Sequence, residues 1–547
     1  MKKNKILLLV SSIGVFVLLA AAAIDENFLK QWRRIQASGS HDGEPIPVQL
    51  RQVVNMGLRT ADRCVSCHVS MGPGEDGVTG NALFKKHPPV VHDPAQYGCT
   101  VCHGGQGLAT EKDDAHGTVH FWPEPMIPAA VAEAGCGTCH AAPGVPSRDT
   151  LRQARATFER LDCGACHRVD GRGGTIRPDG GGMEGPDLSR VGITGYDAGW
   201  HGKHVAKAAA ADKGPWKTSF APVPEADQGA VAMYLAVRNS APRLTEAKSV
   251  FLSYGCLGCH RLSGVGGDEG PDLTRAGERD PGQTDFTHVP EQQGLDNWIA
   301  EHFRSPGAVM TGSKMPAVAA PESDIQQLTM FVLSLRRREL PGAYMPKDRI
   351  AVARMGQREF APDGATIYGA FCAGCHGLNG LGRTSGDETF PAIANPEFQK
   401  LVTDRFLTET IARGRPGRRM PGWKKEGGLR PEEIRVVVEH LRALAGVTGR
   451  TEEDAWKANG STAEGRKLYA AACAGCHGDK GQGAKGPSLG TRAFLEVATE
   501  GYLRDTITKG RPGTVMPAFG EPSTVHRTLT PGDVESIVTF INLWKGK

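Results

Sequence analysis

The stretch TAEGRKLYAAACAGCHGDKGQGAKGPSL, residues 462–489, decides how the whole chain is read. A helical run from Thr462 leads directly into Cys473-Ala474-Gly475-Cys476-His477, and a Gly-rich loop then reaches Gly486-Pro487-Ser488-Leu489. Cys-x-x-Cys-His is the haem c attachment signature. The two thiols form thioethers to the haem vinyl groups, and the adjacent imidazole becomes the proximal iron ligand. The same signature recurs at Cys64/Cys67-His68, Cys99/Cys102-His103, Cys136/Cys139-His140, Cys163/Cys166-His167, Cys256/Cys259-His260 and Cys372/Cys375-His376. These seven pairs use all 14 cysteines, so none remains for a disulfide. The expected cofactor is therefore haem c, seven copies, covalently attached. Structural zinc needs two such pairs per site, or one pair with spaced histidines, and does not explain a His after every second Cys. A thioredoxin-type pair would follow a strand in an α/β pattern, and no such pattern is visible.

Composition agrees with this reading. A chain of 547 residues is too long for one hydrophobic core. It carries 71 Gly and 36 Pro but only 6% aromatic residues, as expected if large apolar cofactors fill the interior. A formal charge of +4 gives no basis for nucleic-acid binding. At the N-terminus Lys2, Lys3 and Lys5 precede an uncharged run from Ile6 to Ile24, which ends at Asp25-Glu26. That pattern is an export signal, and the run is long enough to span a bilayer. The positive-inside rule puts the lysines in the cytoplasm and the haem motifs outside. A retained single-pass anchor is the expectation, although Ala21-Ala22-Ala23 would also suit a signal peptidase. Trp32 with Lys30, Arg33 and Arg34 suggests an interfacial segment over Phe28–Gln36 or a solvated connecting helix.

The motifs fall into two groups. Three are crowded between Cys64 and His140, too close for each haem to have its own protein core. His87, His92 and His116 are the expected distal ligands there, with His120 as substitute. The other four are widely spaced in a repeated unit. Helical segments Thr150–His167, Arg243–His260, Pro362–His376 and Thr462–His477 run into the motifs. A Gly-Pro step follows at Pro186, Pro271 and Pro487, with Phe390-Pro391-Ala392 in the third unit. Apolar-periodic helices close the units at Asp227–Arg238, Asp324–Leu335, Pro431–Leu444 and Pro531–Trp544.

This order resembles the class I cytochrome c fold across residues 150–547. The resemblance implies that the Pro after each motif offers a backbone carbonyl to the proximal His. It also implies that the Met-Pro steps at Met315, Met420 and Met516 supply distal ligands to the haems on His260, His376 and His477. Met310 is a rival to Met315. The unit around His167 has Lys217-Thr218-Ser219-Phe220-Ala221-Pro222 where Met-Pro should stand. Neither His201, His204, Met183 nor Met233 is placed by analogy, so its sixth ligand stays open. The front segment, residues 45–140, is similar to triheme modules of membrane-bound multihaem cytochromes that work with quinol-oxidising cytochrome b subunits.

The expected architecture is mainly α. A transmembrane anchor (1–27) leads to a compact, loop-rich triheme module (28–148). Four tandem class I domains follow, at 149–241, 242–340, 356–448 and 461–547, with linkers at Leu340–Pro362 and Gly446–Gly460. Met ligation raises haem potential relative to a second His, so electrons would enter near the membrane and leave through the distal domains. The chain is expected to be an electron-transfer subunit on the periplasmic face of a bacterial inner membrane. Its partners would be a quinol-oxidising b-type cytochrome or other respiratory-complex subunits, and a periplasmic cytochrome or oxidase. Two alternatives are a haem enzyme that reduces a small oxidant at an open site on His167, and a freestanding periplasmic conductor.

Overall fold

The computed structural model describes residues 2–88, 90–165, 167–173, 185–194, 203, 223–239, 241–290, 293–385, 388–416, 419–449 and 455–546. Cys166, Met183, His201, His204 and Lys217–Pro222 lie outside these residues. The described chain is mainly helical, and its strands are two- and three-residue antiparallel hairpins. It divides into two compact units. One is Met1–His140 with Arg275–Ser313 and Thr329–Arg349, and the other is Ala141–Thr274 with Lys314–Leu328 and Ile350–Lys547.

The first unit begins with helix α1, Lys2–Ile24. Its 23 residues rise about 35 Å, enough for a hydrocarbon core of about 30 Å. Leu7, Phe16 and Leu18 are each 71% exposed, so this apolar surface has no partner inside the protein. The segment after it differs from expectation. Trp32, Ile35 and Gln36 are buried, and Gln36 Nε2 donates to the Ser66 carbonyl at 2.8 Å. Trp32 is therefore neither an interfacial residue nor part of a solvated connector. It packs into the body that carries the first three motifs, because an amphipathic turn buries its apolar face where one is available. A small apolar cluster of Ile46, Val69 and Val78 is covered by Phe84. Val53, Val65, Ile127, Val131 and Ala134 are also buried around these motifs, and backbone and polar contacts organise the rest.

The second unit is built on paired helices. Helix α2 (Arg148–Arg160) packs on α3 (Glu225–Ala236) through Ala154, Phe158, Val231, Tyr234 and Leu235. Helix α4 (Pro242–Ser253) is followed by α5 (Glu322–Leu333), α6 (Gly364–Phe371), α7 (Asp404–Arg413) and α8 (Pro431–Ala445). The last three long helices are α9 (Thr462–Ala472), α10 (Glu500–Lys509) and α11 (Pro531–Asn542). Helix α6 packs on α8, and α9 on α11. Glycine makes both crossings close. A Cβ at Gly364 would meet the Val436 carbonyl oxygen at 2.2 Å, and one at Gly465 would meet that of Ser536 at 1.9 Å. The starts are capped as the sequence suggests: Asp363 accepts from the Thr366 N–H and Ser461 from the Glu464 N–H. Helices α7 and α10, each N-capped by a Thr (Thr403, Thr499), were not expected from the sequence. The closing helices start up to two residues earlier than the apolar pattern suggests, at Glu225 and Glu322, because polar first turns carry no periodicity.

The stretch read as a linker, Leu340–Pro362, is instead packed structure. In the first unit the Tyr344 hydroxyl bonds Asn55 Oδ1 at 3.1 Å. In the second, Phe360 and Ala361 are buried and Glu359 meets Lys248 at 2.6 Å. Lys248 is 1% exposed and uses all three ammonium protons, on Glu359 and on the carbonyls of Ala141 and Ala142. Removing one partner of a buried pair strands the other charge. Lys248→Ala should therefore cost roughly 3–5 kcal/mol in denaturant unfolding of the holoprotein. The double change Lys248→Met/Glu359→Leu should recover part of that loss.

Candidate haem sites

Each of the seven motifs forms the same local structure. The His N–H donates to the carbonyl of the first Cys at 2.8–3.0 Å, in His68, His103, His140, His167, His260, His376 and His477 alike. That bond closes one helical turn. Positions i, i+3 and i+4 of a turn share a face, so in the six motifs whose cysteines are both described the two thiols and the imidazole project to the same side. Among the described residues no group of three or more His, Cys, Asp or Glu is placed to hold a bare metal ion. Burial also pushes the Cys256, Cys372 and Cys473 thiols up to about 12. Such thiols are poor nucleophiles at neutral pH and unlike the low-pKa pair of a disulfide oxidoreductase.

The second shell separates the two groups. In the four widely spaced motifs the proximal Nδ1 donates to a proline carbonyl: His167 to Pro186 (2.9 Å), His260 to Pro271 (2.9 Å), His376 to Pro391 (3.0 Å) and His477 to Pro487 (2.8 Å). This bond fixes the tautomer and leaves Nε2 free to ligate. The third unit, which lacks the Gly-Pro step, reaches the same geometry through Pro391. The glycine before the other prolines lies against the ring. A Cβ at Gly185, Gly270 or Gly486 would stand 2.6, 2.5 or 2.9 Å from the imidazole carbon Cε1 of its His.

The Met-Pro loops of the last two units superpose bond for bond. Helices α7 and α10 both end at glycines with φ of +69°, Gly414 and Gly510. The next residue's N–H then donates to the Met carbonyl, Arg415 to Met420 (2.9 Å) and Arg511 to Met516 (3.1 Å). After the Met-Pro step, Trp423 and Phe519 donate back to Ile411 and Ile507, both at 3.0 Å. The arginines are placed in a way that fits a porphyrin. The Arg511 guanidinium lies over the Phe398 ring at 4.1 Å, and its Nε has no hydrogen-bond partner. Arg415 lies over Phe406 and Phe494 and bonds the Thr410 hydroxyl, and burial pulls it down to about 10. Neither guanidinium pairs with a carboxylate among the described residues, and haem propionates would supply such partners. Met315 lies in irregular chain ahead of α5, with Lys314 close enough to Glu269 to help hold that carboxyl low.

The crowded group uses polar scaffolding. Buried Asp62 accepts from the N–H groups of Cys99 (2.6 Å) and Thr100 (3.1 Å) and from the Thr100 hydroxyl (2.7 Å), capping the turn of the second motif. A Cβ at Gly135 would stand 1.7 Å from the Cys102 carbonyl oxygen, so the third motif lies directly on the second. The Cys64 and Cys99 thiols are neighbours. His140 Nδ1 meets the Asp348 carboxylate at 3.1 Å, a carboxylate in place of the proline carbonyl.

The spare histidines face the motif histidines. His87 and His103 have ring centroids 6.1 Å apart, and so do His92 and His140. An imidazole nitrogen binds a first-row metal at about 2 Å, with the ring centroid about 1 Å behind it, so two rings on one iron have centroids about 6 Å apart. His116 is near enough to His68 to help lower its own pKa, behind the larger effect of burial. His120 is exposed and lies against Phe121, at 4.0 Å between centroids. The pairing of these rings was not legible in the sequence, because it depends on loop returns without periodicity. His440 is half-buried beside Tyr368.

Three stretches of the chain match known families. The family model described as "Cytochrome C oxidase, cbb3-type, subunit III" matches residues 359–441 and 460–541, and "Cytochrome c" matches 244–336. The FixP subunit of a cbb3-type cytochrome c oxidase from Bradyrhizobium diazoefficiens is 33% identical over 189 residues, covering 33% of this chain and 59% of that protein. A CcoP subunit from Azospirillum sp. is 29% identical, covering 40% and 71%. The chain thus spans less than two thirds of the first of these relatives. A solved Kuenenia stuttgartiensis reducing HAO-like protein complex aligns with 33% of the chain and 94% of its own at 18% identity, with a TM-score of 0.23. Residues 244–336, 359–441 and 460–541 are thus cytochrome c domains, the kind that holds haem c covalently.

The glycine contacts make a graded prediction. Gly270→Ala should overpack the His260 ring at a cost of about 1–3 kcal/mol and perturb that haem's visible spectrum. Gly486→Ala, with the looser contact, should do less. Thermal unfolding followed at the haem absorption compares the two.

Proposed function

We propose that this multihaem c-type cytochrome is a heptahaem electron-transfer subunit of a bacterial inner-membrane respiratory complex. In this reading α1 is the membrane anchor, residues 28–148 form the triheme module, and four class I domains at 149–241, 242–340, 356–448 and 461–547 extend into the periplasm. A quinol-oxidising b-type partner supplies electrons at the membrane end, and a periplasmic cytochrome or oxidase takes them at the other. The names of the relatives, subunits of cbb3-type oxidases, favour an oxidase as the acceptor.

The observation that carries the reading is the difference in ligand supply between the two groups of motifs. In the triheme module His87 faces His103 and His92 faces His140 at 6.1 Å, and His116 approaches His68. We assign these as three bis-His pairs. In the last two domains matched loops present Met420 and Met516, and Met315 holds the corresponding place in the second. Haem iron supplies the one-electron chemistry, and the chain's residues set its potential. A thioether raises that potential relative to a second imidazole. The domain order therefore gives a downhill direction, from the anchor outward.

Three measurements test the assignment. His92→Ala should convert one ferric haem from low to high spin by EPR while mass spectrometry still finds seven haems. A spectrum without new high-spin signal would remove His92 as a ligand. Met420→His should lower one haem's midpoint potential by on the order of 0.1–0.3 V, within the roughly 0.8 V that axial ligands span. Finally, detergent-solubilised protein should co-purify with b-type haem. Release into the aqueous fraction without detergent and without b haem would contradict the anchored, complex-bound reading.

A further inference from the structure

Two of the widely spaced motifs are not separate. Helix α4 packs on α6, and the turns that follow them, Cys256–Gly258 and Ala373–His376, pack on each other. Glycine on both sides makes this possible. Gly255 has φ +71°, and a Cβ there would stand 2.3 Å from the Gly374 nitrogen. A Cβ at Gly374 would stand 2.7 Å from the Gly255 oxygen. The second thiols of the two motifs, Cys259 and Cys375, lie beside each other at this junction. In the crowded module Cys64 and Cys99 are neighbours in the same way.

Four further bonds hold this junction shut. The Gly266 N–H donates to the Gly427 carbonyl at 3.0 Å, and Arg261 Nη2 to the Glu426 carbonyl at 2.8 Å. Arg419, the residue before Met420, grips Glu269 with two bonds, Nε to Oε1 at 2.8 Å and Nη2 to Oε2 at 2.5 Å. Glu269 Oε2 also lies 3.7 Å from Cys259 Sγ. Glu269, Arg419 and Met420 line one cleft with Gly258 and Gly267. The clasp thus connects the attachment edge of one site with the Met loop of the next.

We propose that the Cys259–Cys375 contact is an electron-transfer junction that makes the sites at His260 and His376 one coupled pair, with Glu269–Arg419 as its positioning clasp. The inference rests on the haem-attachment reading above. Each cysteine carries a thioether to its own porphyrin, so contact between the two sulfurs brings the two porphyrin edges together. One electron crosses: the donor iron goes from ferrous to ferric and the acceptor from ferric to ferrous. No proton or bond changes hands. Electrons entering either domain therefore equilibrate across this edge before reaching the last domain.

The test uses full-length holoprotein in detergent. In oxidised wild type, low-temperature EPR should show the His376 haem broadened by its neighbour. In Cys256→Ala/Cys259→Ala, with six haems by mass, that signal should sharpen, and an unchanged line would overturn the junction. A charge series covers the case in which that variant fails to fold. Arg419→Glu should slow intramolecular electron equilibration between the two sites by an order of magnitude or more, with haem count and the Met charge-transfer absorption retained. The swap Glu269→Arg/Arg419→Glu should restore the rate. Equal rates in wild type, single variant and swap would refute the clasp. A haem mass below seven in wild type would instead refute the attachment reading.

Discussion

Every motif depends on one backbone hydrogen bond, from the N–H of the motif His to the carbonyl of the first Cys. It closes a single helical turn at all seven positions, from His68 to His477, and in the six motifs whose cysteines are both described it brings two thiols and an imidazole to one face. That turn is short and makes few apolar contacts of its own, so its orientation has to come from outside. In the widely spaced units a helix runs into it and a proline carbonyl holds Nδ1, and in three of the four a glycine lies against the ring. In the crowded module Asp62, the Gln36–Ser66–Arg51 network and Asp348 take those roles. The protein thus solves one local problem in two ways, according to how much polypeptide is available per motif.

The two solutions place different distal groups. A loop that ends a helix at a φ +69° glycine and returns through Arg415 or Arg511 fixes a Met in a repeatable position. Histidines on irregular returns, such as His87 and His92, instead reach across to a neighbouring motif. On the proposed assignment, packing decides which ligand is available, and ligand type then orders the potentials. The close glycine contacts at Gly135/Cys102 and Gly255/Gly374 have a related effect, since the absent side chains let attachment turns approach each other.

Much of this was legible in the sequence because the chemistry is local. The seven motifs, their spacing into two groups and the Gly-Pro and Met-Pro steps all lie within short windows. Pro391 was legible only as a departure, because its role depends on a carbonyl position that a different loop also reaches. Trp32 misled because aromatic and basic residues beside an apolar helix suit both a membrane interface and a core edge, and only the tertiary partner decides. The supposed linker failed similarly. Lys248, Glu359 and the Ala141 and Ala142 carbonyls lie far apart in sequence and pair only when folded. The facing of Cys259 on Cys375 has no sequence signal beyond the glycines that permit it.

The central claim is that ligand supply divides the haems into a low-potential group near the anchor and a high-potential group beyond it. A potentiometric titration of the full-length protein, followed by optical and EPR spectra together, tests this most directly. The account predicts that three bis-His haems reduce last and three His/Met haems first, in two separated sets with distinct ferric signatures. A single unresolved set, or bis-His signals that disappear first on reduction, would contradict it.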